Sequence, residues 1–70
     1  MAVIKVIELV GQSKRGWQAA VQAAVEEAAK TIRHITGVEV LNWTGNVANG
    51  EIVEYKANVK LVFRVESEDE

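Results

Sequence analysis

The side chains able to do chemistry are few, and they do not form a set. His34 is the only histidine, and the chain has no cysteine. Disulfides are therefore excluded, and so are thiolate metal sites. A lone imidazole also makes a poor start for a structural zinc site. His34 has no Ser or Cys partner at motif spacing, so it reads as a surface or interface residue rather than a catalytic one. Lys14 and Arg15 stand before a helical stretch, where free backbone N–H groups and two cations could hold a nucleotide phosphate or coenzyme A. A solvated turn is the plainer reading of the same pair. Gly45 and Gly50 flank a hairpin signal rather than joining a strand to a helix, so they build no phosphate loop. Glu66, Glu68, Asp69 and Glu70 lack EF-hand spacing and read as a solvated tail over 67–70. With no nucleophile–base pair and no metal set, the residue inventory points to binding and not to an enzyme.

The elements that must position these groups are legible from periodicity. Residues Ala2 to Val10 are nearly all apolar and mostly β-branched, which predicts a strand buried on both faces and ended by Gly11. Ser13 is placed to cap a helix. Trp17, Val21, Ala24, Val25, Ala28, Ile32 and Ile35 recur at spacings of three and four, one apolar helical stripe. That stripe puts Trp17 in the packing, places Lys30, Arg33 and His34 near the helix C-terminus, and makes Gly37 the stop. A second strand is predicted from Val38 to Val47. Asn49-Gly50 is a two-residue hairpin signal, because a type I′ turn needs positive φ at both positions. From Glu51 to about Val65 the pattern alternates with period two: Val53, Tyr55, Ala57, Val59, Leu61, Phe63 and Val65 on one face, against Glu54, Lys56, Asn58, Lys60 and Arg64 on the other, joined by Ile52 and Val62.

The expected architecture is α+β, in the order β-α-β-β. One helix covers a three-stranded antiparallel sheet whose central strand is the third. If Val38 and Val40 face the helix, simple alternation puts Gly37, Glu39, Leu41 and Trp43 on the far face with Lys56. Lys56 could there meet a ligand, or pair with Glu39 or Glu54. Trp43 could stack on a ring or pack an interface.

Seventy residues make one small domain, expected over 1–66. A fold of this size buries only about 60% of its unfolded surface, and without disulfides or metal, oligomerisation is the common remedy. The net charge of −2 gives no reason to expect nucleic acid or an acidic membrane surface. Lys5 and Glu8 interrupt the first apolar run, so it resembles no signal peptide. The lack of cysteine suits a cytoplasmic location.

These features, in this order, resemble the dodecins. The likeness covers Lys5 to Val65. It rests on "KVIELVGQS" with Val10, Gly11 and Ser13, on the helix "WQAAVQAAVEEAAKTIRHI", and on Tyr55, Val59 and Phe63 of "VEYKANVKLVFRV". The resemblance implies a hollow homododecamer that stores flavin (FMN, riboflavin or FAD) in pairs at interfaces between copies. Some relatives bind coenzyme A, and a flavin-free branch is associated with calcium. A structural shell that holds ions or coenzyme A is accordingly the alternative function. The resemblance further implies pocket positions at Gly37, Glu39, Trp43 and Lys56. Two of these depart from the flavin-binding pattern. The family's stacking Trp is Gly37 here, in Gly37-Val38-Glu39-Val40, and the Gln after the third-strand Tyr is Lys56. An amide both donates and accepts, whereas an ammonium only donates.

Overall fold

The computed structural model describes residues 3–65. The expected start at Ala2 and the acidic tail from Glu66 lie outside them. Strand β1 spans Val3–Ser13, helix α1 Trp17–Ala29, strand β2 Ile35–Ala48 and strand β3 Glu51–Val65. The sheet order is β1-β3-β2, with both outer strands antiparallel to β3. The predicted element order and the central third strand therefore hold.

The boundaries differ in ways that have physical causes. Gly11 does not end the first strand. It lies within β1 opposite Ala57, where a Cβ would collide with the Ala20 carbonyl of the helix. The glycine lets α1 settle directly on the sheet. Ser13 does not cap the helix either. It still pairs with Tyr55, its Oγ accepts the Arg15 N–H at 3.0 Å, and Gly16 occupies the cap position. The helix ends at Ala29, six residues short of Ile35. The segment from Thr31 to Thr36 is rich in β-branched residues, which favour strand over helix. His34 makes the reversal at φ 64, and Gly37 lies inside β2 rather than stopping the helix. The Asn49-Gly50 turn is as predicted, with φ of 54 and 79.

The core is small. Ala20, Ala24 and Ala28 pack on Ala57, Val59 and Leu61, with Ile7, Leu9, Val21, Val25, Ile32, Ile35 and Val40 around them. Alanines at every fourth helical position bring the backbone close to the sheet. A helix of 13 residues is about 20 Å long, whereas a strand of 15 residues spans about 50 Å. One helix thus covers less than half of β3, and the molecule extends 57 Å along its long axis. The uncovered hairpin arm from Thr44 to Val53 is exposed throughout.

Burial of β1 on both faces is not met within one chain. Ile7 and Leu9 are half-buried under the helix, while Ile4, Val6 and Val10 on the far side are exposed. Leu41, Val47, Ile52 and Val53 are exposed as well. Among the described residues, no helix is long and apolar enough to cross a membrane.

Candidate functional site

Directly opposed residues of an antiparallel sheet share a face, so the register sorts every side chain. Ile7, Leu61 and Val38 lie on the helix side, as do Leu9, Val59 and Val40. The far face carries Val6, Val62 and Gly37 in one row, then Glu8, Lys60 and Glu39. Val10, Asn58 and Asn42 follow, and then Gln12, Lys56 and Thr44. The far face thus grades from apolar, where β2 begins, to polar toward the hairpin. At its centre Lys60 lies between two carboxylate-bearing residues.

Gly37, Glu39 and Lys56 share that face, as expected from alternation. They do not converge within one chain. Gly37 opposes Val62, six residues along β3 from Lys56, a separation of about 20 Å. Glu39 opposes Lys60 instead, about 13 Å from Lys56, too far for the ion pair considered above. A Cβ built on Gly37 would meet only the Val62 Cβ, at 3.8 Å, so the position has room for a side chain.

Trp43 is not on this face. A register shift falls between Val40 and Asn42, with Leu41 as the extra residue. Such a bulge reverses the alternation beyond it. Asn42 is thereby sent to the far face, and Trp43 comes opposite Ala57 on the helix side. There it meets Trp17 with ring centroids 6.3 Å apart and planes at 81°. Trp17 in turn stands edge-on to Tyr55 at 4.8 Å and 81°. The Trp17 Nε1–H donates to the Thr44 carbonyl at 2.9 Å, tying the first helical residue to β2. A cleft of about 410 Å³ lies against Trp17 and Trp43. Trp17 is therefore half-exposed and part of an aromatic group, not interior packing. Its indole N–H needs a partner and its ring needs a flat neighbour, but neither partner can be read from the sequence without the bulge.

A second cleft of about 410 Å³ lies at the other end of the molecule, lined by Arg33, His34, Phe63 and Arg64 among others. The His34 carbonyl accepts the Arg64 N–H at 3.1 Å, which gives His34 a backbone role in opening β2. Lys14 and Arg15 lie in the exposed β1–α1 turn. Among the described residues, no three His, Cys, Asp or Glu side chains gather as metal ligands would.

Comparison with known proteins agrees with this architecture. A sequence profile of the family described as Dodecin matches residues 3–66. The chain is 41% identical over 64 residues to a curated dodecin of Thermus thermophilus, covering 91% of this chain and 93% of that one. A solved arginine-to-alanine variant of the Thermus thermophilus dodecin superposes with a TM-score of 0.92 at 39% identity, covering 96% of this chain and 100% of that chain. The dodecin structure from Streptomyces coelicolor gives a TM-score of 0.90 at 33% identity, with 94% of each chain covered.

Proposed function

This chain belongs to the dodecin family, and from that premise we propose that it is a non-catalytic flavin-sequestering protein. Its copies assemble into a hollow homododecamer and take up FMN or riboflavin where copies meet. The observation that carries the reading is the extent of the family match, which spans the whole helix-and-sheet unit at residues 3–66.

The far face gives the proposal its physical content. Exposed apolar side chains in contiguous array mark surfaces that associate. On that face Ile4, Val6 and Val10 are each at least 50% exposed in the isolated chain. A partner covering them removes apolar area from water and supplies the burial that the small core lacks. Gly37 and Lys56 stand about 20 Å apart in one chain, beyond the reach of a single isoalloxazine ring. A pocket that uses both positions takes them from different copies. Lys56 then supplies a donor to a flavin carbonyl, and Glu39 an acceptor near the position that Gly37 leaves open.

The test is a titration of FMN and riboflavin with purified protein, followed by flavin emission and light scattering. Quenching of emission and the mass of a dodecamer are expected. Unchanged emission at high micromolar protein, or a monomer mass, overturns the proposal.

A further inference from the structure

We infer that Lys56 makes the far-face pocket select the anionic form of its ligand's ring, the flavin deprotonated at N3. This rests on the flavin-binding reading above and adds to it the protonation state that the pocket holds.

The register sets Lys56 apart from the other lysine of this face. Lys60 is opposed by Glu8 on one side and by Glu39 on the other. Lys56 is opposed by Gln12 and Thr44, and neither carries a charge. The neighbouring rows bring Val10, Asn58 and Asn42 on one side, and Glu54 with Asn46 on the other. Glu54 is thus the nearest carboxylate of the face, about 7 Å along β3. Among the described residues, Lys56 forms no ion pair with it or with any other group. Lys56 is also half-buried, and a lowered dielectric strengthens the field of its ammonium.

Hydrogen bonding points the same way. The pyrimidine edge of a neutral oxidised flavin presents one donor, N3–H, between two carbonyl acceptors. An ammonium only donates, so it can meet a carbonyl but leaves N3–H without an acceptor. Once N3 has lost its proton to water, the same edge is acceptors throughout and carries a negative charge. Lys56 then matches it both in hydrogen bonding and in charge. Gln12 and Thr44 can donate to that edge as well. Glu39, which the pocket draws from another copy, is opposed by Lys60 in its own row and so has a counter-charge beside it.

An opposite charge in contact lowers the pKa of an acid by about 1–3 units. The bound ring should therefore lose its N3 proton about 1–3 units below free riboflavin. By linkage, the anion binds about 10- to 1,000-fold more tightly than the neutral ring. Affinity is then flat below the deprotonation point of the bound ring. It rises about tenfold per pH unit above that point and levels off at the deprotonation point of the free ring.

The experiment uses the assembled protein saturated with riboflavin. The absorbance change of N3 deprotonation is followed as pH is raised, with free riboflavin alongside and with Lys56→Gln and Lys56→Arg in parallel. The bound ring should titrate about 1–3 units below the free one in the parent and in Lys56→Arg. In Lys56→Gln that difference should vanish. Bound riboflavin that titrates at or above the free value in the parent overturns the inference and leaves the flavin reading standing. So does an undiminished shift in Lys56→Gln. If Lys56→Gln fails to assemble or to bind, the titration of the parent decides alone. No binding of riboflavin to the parent at any pH overturns both readings, which separates that failure from the first.

Discussion

Replacing Gly11 by alanine should destabilise the protein by about 1–3 kcal/mol, the usual penalty for overpacking a tight interior. The added Cβ would collide with the Ala20 carbonyl oxygen, and it would lie 3.0 Å from the carbonyl carbon and 3.1 Å from the Ala24 Cβ. None of these atoms belongs to a flexible side-chain end, so the whole helix must retreat. A gap of even 0.5–1 Å forfeits roughly a quarter to a half of each dispersion contact it opens. The contacts at stake are those of Ala20, Ala24 and Ala28 on Ala57, Val59 and Leu61, the entire buried core. A domain of this length has about 3.5–10 kcal/mol of stability in all. With a urea m-value of about 1 kcal/mol/M, the unfolding midpoint should fall by about 1–3 M. Protomer concentration must be held constant, because assembly adds a mass-action contribution. Gly37→Ala is the control: its nearest contact is an ordinary 3.8 Å, and the change should stay within about 0.5 kcal/mol. If Gly11 merely broke the chain, alanine would be neutral or would stabilise by about 0.4–1 kcal/mol. A Gly11→Ala midpoint equal to or above that of the parent therefore refutes the close-approach argument.

Gly50→Ala should lower stability by about 1–2 kcal/mol, because φ of 79 is a left-handed conformation that a Cβ resists. An unchanged thermal midpoint by circular dichroism would count against a type I′ turn. The double variant Gly37→Trp, Lys56→Gln should tighten riboflavin binding about 5- to 150-fold, two stacked pairs at about 0.5–1.5 kcal/mol each, read as quenching of flavin emission. No gain over the parent would mean that the far face does not present position 37 to the ligand.

Most of the fold was legible because its periodicities are clean. Alternation along Tyr55, Ala57, Val59 and Leu61 places the central strand and its buried face, and Asn49-Gly50 fixes the hairpin that makes β2 its neighbour. The misreadings share one cause: a single residue's geometry depended on an element distant in sequence. Gly11 looks like a chain breaker until Ala20 of the helix, nine residues later, is laid against it. Ile32 and Ile35 continue the helical stripe in period. They pack on the same core from the turn and from the start of β2, so apolar spacing alone cannot say where the helix stops. Trp43 was assigned to the wrong face because alternation holds only without a bulge, and the extra residue at Leu41 carries no local marker such as glycine. Gly37, Glu39 and Lys56 were placed on the correct face, since no bulge intervenes between Gly37 and Glu39 or within β3 near Lys56. That they do not meet was invisible, because strand register converts sequence spacing to distance only once the pairing is known.

The mismatch between helix and sheet gives assembly and binding a common origin. A helix of 13 residues over a strand of 15 leaves most of the sheet without an intramolecular partner. Lengthening the helix would cover more of the helix-side face along the hairpin arm, and the far face would still need a partner copy. The fully buried helix residues are all alanines, which works in the same direction, since it limits how much area α1 can bury on the sheet. Stability must then come from outside the chain, and a pocket built from positions about 20 Å apart can exist only once copies meet. Binding and assembly are in that case thermodynamically linked. A ligand that binds only the assembled form stabilises it, and to the same degree assembly raises affinity for the ligand.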